Sequence, residues 1–328
     1  MEVLDGGRLQ INVGEKFACF AFANFGLARE VPDEVGLGES VWAGRRLPVN
    51  ELERHWQQWL GSVTLDPLRR TNFVLLNTVT SQHPEVLDGE NQELTATINH
   101  IFYALVLQGS PHYDSGFSLS GANVGGELQV RQFSKLKDYE PSYDMPPFRV
   151  GIGELARAFF LSNPLRRVNR EGPDWARFRR GLKALFSGCL EKDGGERLHQ
   201  FVRALEALLK PEVAKTRAQF GHRAQSFAVA NDETRNTLLQ IFDMRSNVEH
   251  VHSPLNGLQG TEEERLALAN RRVRQVDRLC RFAFTRVLES EALLETFRTE
   301  ANTDVFWAMR DNERVATWGE RMDLTAVG

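Results

Sequence analysis

Residues 244–253 read MRSNVEHVHS, in which Arg245 is followed by His250 and then by His252. An imidazole can accept or donate a proton near neutral pH, and a guanidinium can hold two oxygens of a phosphate or carboxylate through parallel hydrogen bonds. Together these groups could perform acid–base catalysis at a phosphate ester. The Ser-Pro step that follows predicts that their helix ends before Pro254, because proline disfavours helical geometry in the residue before it.

Arg245 also interrupts an apolar stripe. Leu238, Ile241 and Phe242 precede it at helical spacing and mark the buried face of a helix. A guanidinium on that face needs a carboxylate, a bound anion or a wet cleft, because burying an unpartnered charge is unfavourable. Glu249, four residues later, could supply a local ion pair. The pattern alone leaves two interpretations open, a structural ion pair and an anion-binding site.

The two histidines lie at the end of the same predicted helix. On an ideal helix His250 is about 140° around the axis and ~7.5 Å along it from Arg245, whereas His252 is almost in line with Arg245 but ~10 Å away. We expect both histidines in the final turn, where the negative end of the helix dipole favours a protonated imidazole. Arg245 and His250 could then flank one groove if the last turn loosens before Pro254.

The elements that would position these residues are helices. Apolar residues recur at helical spacing in segments 173–190, 196–212, 213–230 and 232–252. Asp174 is a candidate cap for the first of them, and Thr261 with Glu264 predicts a capping box before a long last helix. That helix carries a seam at steps of three and four, formed by Leu266, Ala269, Val273, Val276, Cys280, Ala283 and Val287. We predict an all-α bundle over residues 151–328, with a tail at 306–324 whose tryptophans dock on its body.

The first half of the chain mixes strands and helices. Segments 16–28 and 69–80 are rich in Phe, Val and Thr and predict strands. Helices are predicted in segments 50–63 and 93–108, and the glycine-containing alternation at 115–136 predicts a β-hairpin. Segment 138–150 concentrates Pro, Tyr and Asp, so we place the domain boundary there. The expected fold is α+β, with a mixed α/β domain at 1–150 followed by the helical domain at 151–328.

Composition limits the classes of protein that fit. The chain has 328 residues, 41% of them hydrophobic and 26% charged, which is typical of a globular protein. Its net charge of -4 does not indicate an overall basic surface for nucleic acid. Three widely separated cysteines fit a reducing compartment better than a disulfide framework. No apolar run approaches the ~20 residues of a membrane-spanning helix, so we expect a cytoplasmic protein that does not enter the membrane.

The run from about 196 to 290 resembles the HEPN superfamily, in particular its Apea-like branch. The residues that carry the resemblance are ALEALL at 204–209 and an arginine followed by histidine at the end of a later helix. The family's spacing, R-x4–6-H, is met by His250 and also by His252. Glycine often follows the histidine in this branch, whereas Val251 stands here. The resemblance implies a HEPN-like helical core at 190–295 and does not cover the first 150 residues.

HEPN domains typically form homodimers that bring two such motifs together across a two-fold cleft, and many are metal-independent endoribonucleases. The resemblance therefore implies RNA as substrate, a homodimer through the helical domain, and products with 2′,3′-cyclic phosphate and 5′-hydroxyl ends. Arg245 and His250 would be the catalytic residues, and no cofactor or metal is expected. The residues expected to support them are Ser246, Asn247, Glu249, His252 and Glu206.

The resemblance also implies a role as a toxin or antiphage-defence effector, with residues 1–150 sensing a trigger or a partner protein. A second hypothesis is a non-catalytic HEPN module that dimerises and positions the N-terminal domain on a partner. Glu206 has its own alternative role, a structural ion pair with Arg245 or Arg223. The sequence does not decide between these hypotheses.

Weaker candidates lie elsewhere in the chain. Five arginines in the last long helix could form an RNA-backbone face or simply the solvated side of an amphipathic helix: Arg271, Arg272, Arg274, Arg278 and Arg281. The glycines of SGANVGG lack the lysine and the context of a phosphate-binding loop. The remaining histidines show no metal-ligand spacing with nearby acidic residues, so we predict no metal site: His83, His100, His112, His199 and His222.

Overall fold

The computed structural model describes residues 10–47, 54–139, 148–170 and 172–327. The fold is α+β, as predicted, and it divides into two compact units. The first contains the described residues up to Tyr139 and those from 148 to 166, and the second contains the described residues from 167 onward. The sequence analysis placed the boundary at 150/151, whereas the structure keeps most of helix α3 (Ile152–Asn169) with the first unit. Most of the segment 138–150 lies outside the described residues.

The first unit is built on a six-stranded antiparallel sheet in the order β2-β3-β4-β1-β5-β6. Its strands are β1 (Glu15–Ala23), β2 (Glu34–Gly36), β3 (Val41–Gly44), β4 (Thr71–Thr80), β5 (Ser115–Val124) and β6 (Glu127–Lys135). Strand β1 is central and buried along almost its whole length, which fits a phenylalanine-rich strand covered on both faces. The predicted hairpin at 115–136 is confirmed, and its turn uses Gly125 and Gly126, both with positive φ.

Two helices cover the faces of this sheet. Helix α2 (Gly89–Gln108) packs its Phe102 against Phe20 and Phe22 of β1. Helix α1 (Arg54–Arg69) places Leu68 in the core of the opposite face, beside Phe17. The alternation of side chains along β1 thus supplies both cores of the unit.

The second unit is all-helical. Its elements are α4 (Ala176–Leu190), α5 (Gly194–Leu209), α6 (Thr216–Arg223), α7 (Asp232–Glu249), α8 (Glu262–Glu289), α9 (Glu291–Thr296), α10 (Glu300–Ala308) and α11 (Asp311–Trp318). Helix α5 packs against α4, α7 and α8 and buries the apolar stripe that the sequence predicts. The capping box of Thr261 and Glu264 is confirmed, and the seam of α8 is buried except at Leu266.

The tail docks on this unit as expected. The Trp307 indole donates a hydrogen bond to the Leu208 carbonyl at 2.9 Å, and the Trp318 ring lies 4.1 Å from that of Phe227. The helix predicted over 213–230 forms only in part, as α6 followed by a short 3-10 turn at Ala224–Ser226. Helix α6 ends at Arg223, and the Val229 amide donates to the Met322 carbonyl of the tail at 2.8 Å, so the backbone leaves helical geometry.

The predicted cap at Asp174 is also wrong. The residue before helix α4 is Trp175, whose φ is 53°, and no side chain caps the helix. Asp174 instead accepts hydrogen bonds from Arg298, at 2.7 Å from Nη2. The ion pair takes the carboxylate away from the helix amides that a capping residue must reach.

Candidate functional site

Helix α7 carries Arg245, and the residue that follows its last turn is His250. The helix begins at a cap formed by Asn231, whose side chain accepts a hydrogen bond from the Thr234 amide at 2.7 Å. It ends at Glu249, and the following residue, His250, is the C-terminal cap. The prediction that the helix stops before Pro254 is confirmed.

The turn after α7 separates the two histidines. Val251, between them, adopts a φ of 61° and is almost fully exposed. This left-handed conformation carries the chain out of the helix, so the expectation that His252 lies in the last turn is wrong. Glycine adopts a positive φ without steric cost, whereas valine is strained there. His250 and His252 are both exposed.

Arg245 is largely buried, with its side chain 14% exposed, and it is held between two carboxylates. Its Nη1 lies 2.5 Å from Glu249 Oε2 on the same helix, and its Nη2 lies 3.5 Å from Glu206 Oε2 on α5. The guanidinium also lies 5.7 Å from the centre of the Phe242 ring. Within the described residues, its Nε has no hydrogen-bond partner although the atom is buried. The Nε donor is thus unpaired but closed to solvent, so a ligand could reach this guanidinium only through its Nη atoms.

The two carboxylates differ in their surroundings. Glu206 is 17% exposed, and burial raises the pKa of its carboxyl while the charge of Arg245 opposes that shift. Glu249 is 45% exposed and lies at the negative end of a helix dipole, where an anion is disfavoured. The sequence suggested Arg245 or Arg223 as the ion-pair partner of Glu206, and in the structure the partner is Arg245. Arg223 instead donates to the backbone carbonyls of Leu209 and Lys210.

The polar residues between Arg245 and His250 hold the helix end. The Ser246 carbonyl accepts a hydrogen bond from the His250 amide at 3.2 Å. Asn247 contacts the turn twice, because its carbonyl accepts from the His252 amide at 2.8 Å and its side-chain Nδ2 donates to the Asn256 carbonyl at 2.9 Å. Both residues therefore position the histidines through the backbone.

The N-terminal end of α5 lies against this turn. A Cβ atom added at Gly195 would approach Val248 Cγ2 to 3.1 Å and Pro254 Cγ to 3.7 Å. The glycine thus allows α5 to pack closely on the end of α7. One turn further along α5, His199 is half-buried, and its Nδ1 is a buried atom with no hydrogen bond to any described residue.

We considered His199 in the sequence only as a possible metal ligand and did not predict its position beside Arg245. Burial lowers the pKa of its imidazole, and the charges of Arg245 and Arg203 lower it further, while Glu196 and Glu249 oppose them. The signal was present in the helical spacing, because His199, Arg203 and Glu206 recur at i, i+4 and i+7 on one face.

No protein-family model matches this chain, and neither a curated protein nor a solved structure matches it. In the part of the chain that the structure describes, no three or more His, Cys, Asp and Glu side chains are grouped to hold a metal ion. None of the helices described is long and apolar enough to cross a membrane.

The arginines of α8 do not form a common exposed face. Arg271 is exposed, but Arg272 donates hydrogen bonds to Gln240 and to Gln275, at 2.6 and 2.7 Å. Arg274 and Arg278 are half-buried. Arg281 is 5% exposed and paired with Asp277 at 2.6 Å, so both sequence interpretations are wrong for this residue.

Proposed function

We propose that the helical unit is a HEPN-type, metal-independent endoribonuclease that acts on RNA as a homodimer. The observation that carries the proposal is the arrangement at the end of α7. There the guanidinium of Arg245 is paired with the exposed carboxylate of Glu249, and the residue that follows the helix is an exposed histidine, His250. An arginine that can exchange Glu249 for a phosphate supplies a phosphate-binding group, and the histidine supplies a proton-transfer group.

The proposed reaction uses Arg245 and His250. The 2′-oxygen of the RNA forms a bond to phosphorus, and its proton passes to the imidazole of one His250. The bond from phosphorus to the 5′-oxygen breaks, and the leaving oxygen takes a proton from the second His250 across the two-fold cleft. Arg245 stabilises the nonbridging oxygens as negative charge develops. The products carry 2′,3′-cyclic phosphate and 5′-hydroxyl ends.

The carboxylates limit when Arg245 can bind phosphate. Glu249 is the partner that RNA would displace, because it is exposed and an exposed ion pair is weak. Glu206 would remain in place and orient the guanidinium. We propose His252 as the alternative proton-transfer group, in reserve behind His250.

The test is cleavage of RNA by the purified full chain with and without EDTA. We expect cleavage to persist with chelator and to fall at least 100-fold in Arg245→Ala and in His250→Ala. Arg235→Ala, at an exposed arginine of the same helix, and His222→Ala, at an exposed histidine of α6, are matched controls that should stay active. Intact RNA under all conditions, with harmless expression in cells, would contradict the proposal.

A specific observation favours a second candidate, the non-catalytic dimerisation module. Two carboxylates already accept from Arg245, as a purely structural ion pair requires. In that case Arg245→Ala would weaken the dimer or its binding to a partner protein, with no effect on nucleic acid. Expression toxicity of the wild type against an Arg245/His250 double substitution separates the toxin or defence role from this alternative.

A further inference from the structure

His199 is the unexplained polar group beside the proposed site. It lies on the face of α5 that also carries Glu206, and Glu206 reaches Arg245 of α7 at 3.5 Å. Arg203, between them on this face, is exposed. The charges of Arg203 and Arg245 both act on the His199 ring, so the three side chains lie near one another on two packed helices.

The burial of one ring nitrogen restricts the protonation of His199. Its Nδ1 is buried and meets no acceptor in the described residues. A proton on Nδ1 would therefore be a buried donor without a partner, which is unfavourable. The neutral ring is then best accommodated with its proton on Nε2.

The charges that face the ring favour the same state. Arg203 on its own helix and Arg245 on α7 disfavour a third positive charge, and Glu196 and Glu249 only partly compensate. Burial acts in the same direction, because it lowers the pKa of the imidazole. A neutral imidazole with a proton on Nε2 is a hydrogen-bond donor and not a proton acceptor at that atom.

We propose that His199 binds the phosphodiester of RNA as a neutral hydrogen-bond donor through Nε2, beside Arg203 and Arg245. In this role it contacts the nonbridging oxygens and transfers no proton, which leaves acid–base chemistry to His250. The inference rests on the proposed function and deepens it, since it assigns substrate binding to a second helix. The ligand is inferred to be a phosphodiester because a neutral N–H donor beside two arginines is complementary to an anion.

Two substitutions separate a donor from a proton-transfer group. The side chain of His199→Gln places an amide N–H close to the position of Nε2, whereas His199→Ala removes the donor. We would measure the Kd for a 2′-O-methyl RNA oligonucleotide, which cannot be cleaved through the 2′-oxygen, and the pH dependence of cleavage of ordinary RNA. His222→Ala is the control histidine, and thermal unfolding confirms that each variant is folded.

We expect the Kd to rise about tenfold in His199→Ala, as for loss of a hydrogen bond to a charged group, and less than about threefold in His199→Gln. The pH profile of His199→Gln should match that of the wild type. The inference is overturned if His199→Ala binds as tightly as the wild type. It is also overturned if His199→Gln is as defective as His199→Ala and loses one titration step of the profile. A wild type that binds the oligonucleotide but cleaves no RNA would refute the proposed function alone.

Discussion

The ion pair between Arg245 and Glu206 offers the sharpest test of why an arginine lies in an apolar stripe. Both side chains are less than one fifth exposed, and their charged atoms are 3.5 Å apart. Removal of either partner leaves the other charge largely buried. Arg245→Gln and Glu206→Gln, with the double substitution, remove the charges singly and together. Glu206→Gln conserves the shape of the side chain, whereas Arg245→Gln shortens it.

The expected loss lies between two limits. Breaking a fully buried ion pair costs about 3–5 kcal/mol, and an exposed pair contributes at most about 1 kcal/mol. Because Glu206 retains some contact with water, we expect Arg245→Gln to lower the free energy of unfolding by about 1–3 kcal/mol at pH 7. The double substitution leaves no uncompensated charge at this pair, so it should lie within about 1 kcal/mol of the wild type.

The loss should depend on pH in a defined direction. Burial raises the pKa of Glu206 above its ordinary 4.5, and Arg245 opposes that rise. Without Arg245 the pKa in the folded state rises further. A carboxyl with a raised folded pKa stabilises the fold below the unfolded pKa and loses that contribution as the pH rises through the folded value. Arg245→Gln should therefore be nearly neutral below pH 4.5 and most destabilising at pH 7.

Urea unfolding of the three variants at pH 4 and pH 7, together with RNA cleavage, checks this reasoning. The double variant should be stable yet at least 100-fold less active. An equal loss of stability at both pH values would refute the electrostatic account. A stable double variant with unchanged cleavage would show that Arg245 only balances Glu206.

Three further predictions concern single contacts. Glu249→Gln should lower the Kd for RNA at least twofold at low salt, with a smaller effect at 0.5 M salt, because a displaceable competitor for Arg245 is removed; a binding titration at both salt concentrations measures this. Asp277→Asn should lower the free energy of unfolding by about 3–5 kcal/mol, because it removes the buried carboxylate that pairs with the buried Arg281. A loss below about 1 kcal/mol in urea denaturation would contradict this prediction. Thr261→Ala should lower the free energy of unfolding by about 1 kcal/mol in the same assay, because α8 loses its cap. Thr261→Ser keeps the capping hydroxyl and should retain most of that stability.

Helical periodicity predicted the bundle well because burial imposes one spacing on every packed helix. The stripe of α5 and the seam of α8 are buried where the sequence placed them, apart from Leu266. The failures occur where a distant partner overrides a local signal. Asp174 resembles a helix cap but pairs with Arg298, and segment 213–230 loses its last turns to the tail. Such contacts join residues far apart in sequence and leave no local pattern.

The candidate site was predictable in part for the same reason. Arg245 and Glu249 are four residues apart, so helical spacing alone suggested their ion pair. Whether Glu206 pairs with Arg245 or with Arg223 depends on how α5 crosses α7. The close approach of the two helices at Gly195 fixes that crossing. Helical spacing places His199 on one face with Arg203 and Glu206, but it does not show the burial of the ring or the charge of Arg245 beside it. Its environment arises only when the two helices meet.

The conformation of Val251 has a consequence for the dynamics of the helix end. A β-branched residue in the left-handed region costs about 1–2 kcal/mol relative to its preferred backbone geometry. This strain lowers the free energy needed to open the turn by a similar amount, which makes the opening roughly 5–30 times more frequent. Amide hydrogens of His250 and His252 should therefore exchange with solvent much faster than those in the middle of α7. Each opening of the turn would also move Glu249 away from Arg245, which adds a second route to the displacement of this carboxylate that we propose for RNA binding.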